Sequence, residues 1–364
     1  VADTVQKAML PLVDRDGLAK PLVQIIAEEA IRSGLEEVCV VCAPGDEEQY
    51  LRQLRLLREN LRSACGGAGW ACEQAARLED LIPRLSFAVQ EEPLGYGHAV
   101  WCARDFVGRE SFLLLLDDHL YISALRDRRC AEQVIRLAEQ EDAAVSAVQS
   151  THERHVGRYG TVSGRRMPDL DGVYQIERIL EKPSVSQAEL LLQTPGLRTA
   201  HYLCFFGMHV LPHRIFDILG EGLAARGGAE LQLTPALQEL ANRERCLALE
   251  VAGISYDISA KFGLMQAQIA LPDGAQPALD ALDRSVEAGA EADIDQFQRH
   301  DGSHEHDDDE IDPERRHHLP SIGRIETDGE NLGAAARRGD RHADDVRLVG
   351  RRREGTRFGI RRLV

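Results

Sequence analysis

Three short apolar runs constrain this chain more than any other feature. "VCVVCA" begins at Val38, "FLLLL" at Phe112 and "AAVSAVQ" at Ala143. Each is too short for a buried helix and too uniformly apolar for a half-exposed strand, so each reads as a strand buried on both faces. The segments before them have helical spacing. Leu22, Ile25, Ile26, Ala30 and Ile31 recur on one face between Pro21 and Ser33, and Gly34 supplies a stop. A further apolar run around "LSFAV" leads through a Gly-rich turn to a helix from about Tyr96, and another helix runs through Val134 and Leu137. Alternation of this kind predicts an α/β fold, a mostly parallel sheet with helices on both faces and right-handed crossovers.

From about Thr151 to Pro183 the pattern changes to short alternating strands with Gly turns, "GRYGTVSG" and "VYQIERILEKP", which predicts a small antiparallel insertion. Alternation resumes with "HYLCFFGMHVL", helices near Arg214 and Ala236, the strand "CLALEVA" and a last helix from about Lys261 to Leu271. Residues 1–271 therefore form the expected folded domain. Beyond Pro272, Asp, Glu, Arg, His and Gly dominate, and 272–364 reads as a disordered charged tail.

A formal charge of −17 disfavours a nonspecific nucleic-acid partner. No run is long enough to cross a bilayer and the start lacks a signal pattern, so the expected compartment is the cytoplasm. The eight cysteines are scattered, and the single Cys-x-x-Cys, Cys39 to Cys42, lies inside an apolar strand; they read as reduced core residues.

Ligands of such sheets bind beyond the carboxyl ends of the strands. There the chain places Gly95 and Gly97 of "VQEEPLGYGHAV", the acid pair Asp117–Asp118 after "FLLLL", Glu181 and Lys182 of "ILEKPS", and Asp257 before Lys261. Taken singly, each has an ordinary structural reading as a turn, a cap or an exposed ion pair. Only four of the 43 basic residues are lysines, Lys7, Lys20, Lys182 and Lys261; two of these fall among the motifs and a third, Lys7, opens the Lys-x-Met-Leu-Pro stretch near the start. A compact ammonium suits a phosphate met as a point charge, so the set fits an anionic, metal-bound phosphate ligand.

The ordered set "KAMLPLVD", "KPL", "GYGHAV", "LLLLDDHLY", "RYGTV", "LEKP", "AELQLTPAL" and "YDISAKFGLMQA" resembles the bacterial UTP:glucose-1-phosphate uridylyltransferases, within the sugar nucleotidyltransferases. The resemblance implies a Rossmann-like domain and attack of the sugar-1-phosphate oxygen on the α-phosphorus of UTP. Under it, Lys7 contacts nucleotide phosphates and Lys182 the sugar phosphate, Gln90 and Gly95 read the uracil, and His98 lies beside the nucleoside. Gly160 and Glu181 hold the glucose, and Asp117 and Asp257 hold Mg2+. Expected partners are UTP and glucose-1-phosphate, with no membrane partner and self-association left open. The family opens with a strand and a Gly-rich loop, whereas the match here begins at Lys7. Its Gly-Asn-Lys reads Ser259-Ala260-Lys261, its "GEIQLTD" reads "AELQLTP" from Ala229, and its Gly-Arg-Tyr reads Gly207-Met208-His209. Two alternatives follow: a non-catalytic relative that binds sugar phosphate or nucleotide, or an enzyme for a different base or hexose phosphate.

Overall fold

The computed structural model describes residues 7–66, 69–271 and 347–351. All of them fall in one compact unit, spanning 1–275 and 343–364; a second unit, 276–342, lies outside the described residues.

After a 3-10 turn at Lys7–Met9, the strands β1 (Pro11–Val13) and β2 (Ala19–Pro21) form a small ribbon that leads into α1 (Leu22–Arg32). Next come β3 (Glu37–Cys42), the helical pair α2 (Asp46–Ala64) and α3 (Gly69–Leu81), and β4 (Leu85–Val89). The Gly turn opens α4 (Tyr96–Cys102), followed by α5 (Arg104–Val107), β5 (Phe112–Leu116) and β6 (His119–Ser123). Then follow α6 (Cys130–Glu141), β7 (Ala144–His152), β8 (Thr161–Arg166), β9 (Val173–Leu180) and α7 (Val185–Leu191). The folded segment ends with β10 (His201–Leu211), α8 (Ile215–Ala225), α9 (Leu233–Arg243), β11 (Cys246–Glu250), β12 (Gly253–Asp257) and α10 (Gly263–Ala270). One more strand, β13 (Arg347–Arg351), stands far along the chain.

The main sheet runs β4-β3-β13-β5-β10-β7-β11-β9-β8 among the described residues. Five strands, β4, β3, β5, β7 and β11, point the same way, as the alternation predicts. Direct parallel ladders are nevertheless few, because β13 and β10 run antiparallel between them. Period-two alternation divides the core. Val38, Val40, Leu113 and Leu115 face the α1–α2–α3–α6 side, whereas Cys39, Val41, Phe112 and Leu114 face the α4–α8–α9 side. The expected insertion is the β8–β9 hairpin, with a small core of Val156, Ala188, Leu192, Tyr202 and Cys204. No helix among the described residues is long and apolar enough to cross a membrane.

Three features differ from the sequence reading. The helical pair α2–α3 occupies residues that carry no expected element, and α2 buries only Tyr50, Leu54 and Leu61 of its 19 residues. The core reading of the cysteines holds for Cys39, Cys42, Cys130, Cys204 and Cys246, but Cys65 and Cys102 are half-buried and Cys72 is exposed. Within the segment read as a disordered tail, 347–351 is a strand in the middle of the sheet; the rest of 272–364 lies outside the described residues. Leu348 and Val349 are fully buried, one on each face. Arg351 pairs with Glu37 at 3.0 Å and stacks on Phe106.

Lys20 is also accounted for by the fold. It is fully buried and bound by Asp14 at 2.5 Å, Asp16 at 2.8 Å and Glu28 at 3.3 Å, so this lysine anchors the β1–β2 ribbon to α1. Burial alone would lower its pKa; the hydrogen bonds to Asp14 and Asp16 raise it above the ordinary value, and the ammonium stays charged.

Because Leu348 is sealed between two neighbouring strands, Leu348→Asp buries a carboxylate there and should cost about 4 kcal/mol or more. Urea unfolding followed by circular dichroism measures this; an unchanged midpoint would mean that β13 does not contribute to the folded sheet.

Candidate functional site

The turn after β4 gathers three of the expected residues. Gln90 N–H donates to the Cys42 carbonyl at the end of β3, 2.8 Å away, so its backbone is fixed by the sheet. Its side-chain amide reaches the Gly95 carbonyl at 3.3 Å and His98 Nδ1 at 3.0 Å. With Nδ1 accepting from that amide, Nε2 carries the hydrogen and faces Cys102 Sγ at 3.9 Å. Burial, first among the causes, lowers the His98 pKa, and the ring also stacks on Trp101.

Gly95 has φ +105° and starts α4. A Cβ there would lie 2.7 Å from the Leu231 carbonyl oxygen. Gly97 N–H donates to that same carbonyl, and Leu231 N–H donates to Leu94 O, each at 2.7 Å. The glycine turn is thus zipped onto residues 230–232 of its own chain, which is the physical reason this position takes glycine.

Gly160 and Glu181 also meet. A Cβ at Gly160 would come within 2.5 Å of the Phe205 ring and 3.1 Å of Glu181 Oε2. Gly160 O accepts from Phe205 N–H at 2.8 Å, and Tyr159 O accepts from Lys182 N–H at 3.2 Å. Thr234 Oγ1 donates to Glu181 Oε2 at 2.5 Å. Lys182 has φ +43°, a left-handed backbone that side-chain-bearing residues seldom adopt. Segment 230–234 therefore touches both groups: Leu231 holds the Gly95 turn and Thr234 holds Glu181. Thr234 is not among the site residues expected from the sequence; its signal there is its place in the motif "AELQLTPAL", beside Pro235 in the first turn of α9.

At the end of β5, Asp117 is buried and engaged with its surroundings. Tyr121, also buried, accepts from Leu116 N–H at 3.1 Å and donates to Gly207 O at 2.6 Å, fixing the strand's exit. The β6–β12 pairing puts His119 opposite Asp257. One donor atom each from Asp118, His119 and Asp257 then lie within 4.8 Å of one another. Asp257 Oδ1 accepts from Ser259 N–H and Ala260 N–H, and Asp118 O accepts from Ile258 N–H. Two carboxylates and an imidazole suit a divalent cation. Asp257 was foreseen; the partners beside it are Asp118 and His119, whereas Asp117 lies outside this trio. Burial, the leading cause, raises the Tyr159 pKa against the opposing Arg158 charge, and the Asp257 carboxylate adds to the rise. Lys7 lies in the 3-10 turn, half-buried.

His209, at the position where the chain departs from Gly-Arg-Tyr, is buried, bonds Ser146 Oγ through Nδ1 at 2.8 Å, and meets the Phe205 ring edge-on.

Residues 1–256 match the model of the nucleotidyl transferase family. A curated UTP--glucose-1-phosphate uridylyltransferase of Bacillus subtilis (strain 168) is 32% identical over 266 residues, 71% of this chain and 81% of that protein. One from Streptococcus pneumoniae serotype 4 is 32% identical over 266 residues, covering 72% and 82%. A solved UDP-glucose pyrophosphorylase complexed with UDP-glucose superposes with TM-score 0.57 at 26% identity, covering 73% of this chain and 89% of its own.

Burial pushes the His209 pKa down from 6.5 to about 4. Between those values the unfolded chain binds the proton and the folded one does not, so stability present above pH 6.5 is lost as pH falls toward 4, by about 3 kcal/mol in all. Urea unfolding at pH 7 and pH 4.5 should show a shallower loss in His209→Gln than in the parent; equal losses would mean the imidazole is not held neutral.

Proposed function

Since the chain belongs to the nucleotidyl transferase family, we propose that it transfers the uridylyl group of UTP to the phosphate of glucose-1-phosphate. A phosphate oxygen of the sugar attacks the α-phosphorus, the bond to the β-phosphate oxygen breaks, and pyrophosphate leaves with UDP-glucose as the other product. The observation that carries this reading is segment 230–234, which braces Gln90, Gly95 and His98 through Leu231 and Glu181 through Thr234. A nucleoside subsite and a sugar subsite joined by one short segment suit a reaction whose main demand is the alignment of two bound substrates. The curated relatives named for this activity support the choice of UTP and glucose-1-phosphate.

Gln90 and the Gly95 backbone face the base, with His98 packed beside the nucleoside. Glu181 accepts from glucose hydroxyls, oriented by Thr234, and Gly160, whose missing side chain lets the Phe205 ring and Glu181 close onto its backbone, lies beside it in the sugar subsite. Lys182 meets the sugar phosphate and Lys7 the nucleotide phosphates as point charges. Asp257, Asp118 and His119 would hold a divalent cation, for which the family resemblance implies Mg2+ and names Asp117 as well, and the charge it supplies would neutralise phosphate oxygens.

The test is pyrophosphate release by the full chain with UTP, glucose-1-phosphate and MgCl2. Thr234→Val should lower kcat/KM for glucose-1-phosphate about tenfold, because Glu181 loses a charge-assisted hydrogen bond. Absence of turnover by the parent chain would refute the proposal; nucleotide binding retained without turnover would point to a non-catalytic relative.

Lys182→Gly separates strain from chemistry. Glycine relieves the left-handed backbone and should raise the stability by up to about 1 kcal/mol, read as a higher Tm, while turnover falls with the lost ammonium. A lower Tm would show that the conformation carries no strain.

A further inference from the structure

The trio at the end of β5 differs from a pure carboxylate site in one respect, the imidazole of His119. The ring is fixed from several sides. Nδ1 lies 2.7 Å from Asp118 Oδ1, the ring stacks on Tyr121 with centroids 6.5 Å apart, and a Cβ at Gly207 would come within 3.2 Å of its Cδ2. Ser259 Oγ donates to Asp118 Oδ2 at 3.3 Å, and two backbone N–H groups hold Asp257 Oδ1. The His119 and Asp118 side chains are only 12% and 19% exposed. All three donors are therefore positioned by neighbours before any cation arrives.

We propose that His119 makes this a mixed nitrogen–oxygen site that binds a first-row transition-metal ion, cobalt(II) or manganese(II), in preference to magnesium. Magnesium is a hard ion that takes oxygen donors, keeps several waters and gains little from an imidazole. Imidazole nitrogen suits first-row divalent ions, whose affinity for such sites rises from manganese to cobalt. The β6–β12 register, which sets His119 against Asp257, thus selects the cation class. The inference deepens the uridylyl-transfer reading, naming the cation that its site takes, but its test reads binding alone.

The full-length chain, with His300, His304, His306, His317 and His318 replaced by serine so that the histidine-rich stretch adds no sites, is titrated calorimetrically with CoCl2 and separately with MgCl2, without nucleotide. Cobalt should bind at least about tenfold more tightly than magnesium. His119→Leu should remove most of that preference, weakening cobalt about tenfold or more while magnesium changes by less than about threefold. Asp257→Asn should weaken both. An unchanged cobalt-to-magnesium ratio in His119→Leu overturns the inference, as does cobalt binding indifferent to Asp257→Asn. Selective binding without uridylyl transfer would remove the functional reading and leave this inference standing. Turnover without His119-dependent selectivity would do the reverse.

Discussion

Buried peptide groups must find hydrogen-bond partners, and the centre of this sheet meets that requirement from far along the chain. The strands β3 and β5 point the same way but do not pair with each other; β13 lies between them, antiparallel to both. Without it, one edge of each strand would expose N–H and C=O groups inside the core, each costing roughly 1–3 kcal/mol. The site depends on the same pairing. Gln90 is tied to the end of β3, Asp117 leaves the end of β5, and Arg347 is registered against Val41 and Leu116 just below both. The long connection to β13 is a modest obstacle, because each doubling of a closed loop costs only about 0.6 kcal/mol.

The parts of the fold that could be read from sequence are those in which composition and burial coincide locally. The runs at Val38, Phe112 and Ala143 are buried on both faces, so nothing but a central strand suits them. The helix α2 is harder to see because only three of its residues are buried, too narrow an apolar stripe among many charges. The strand β13 is harder still. "RLVGR" has two apolar residues in a charged context, and what makes it a strand is the pair of open edges waiting elsewhere, a fact absent from its own sequence.

The site shows the same division. Gln90, Gly95 and His98 lie within one turn, and their meeting follows from short-range geometry. Gly160 and Glu181 meet because Thr161 pairs with Leu180 in the β8–β9 hairpin. Thr234 and His119 escaped notice because their partners are set by nonlocal pairing, Thr234 with Glu181 and His119 opposite Asp257. Scarcity marks all four lysines alike, yet Lys20 is enclosed by three carboxylates and serves the fold. Scarcity of a residue type identifies positions that cannot be exchanged freely, and only burial separates a structural reason from a ligand-binding one.

Backbone strain adds a criterion that composition lacks. Four described residues other than glycine have positive φ: Asp142, Lys182, Ala200 and Phe262. Lys182 is itself one of the four lysines, and Phe262 directly follows another, Lys261, whose ammonium lies over the Phe262 ring. A left-handed conformation costs about 1 kcal/mol or more and persists only where surrounding bonds enforce it. At Lys182 the enforcing bond is its own N–H to Tyr159 O, made from the residue beside Gly160; at Phe262 it is the turn closed by Gly263 N–H to Ala260 O and continued by Gln266 N–H to Phe262 O. Both turns directly follow residues of the candidate site, Glu181 in one case and the Asp257–Ala260 turn in the other. Each lysine therefore leaves the backbone from a point fixed by its neighbours rather than from a free loop. Under the proposed role of Lys182, a charge placed in that way would lose less freedom on meeting a phosphate, which would be the physical advantage of keeping a lysine there on a backbone that glycine would occupy at lower cost.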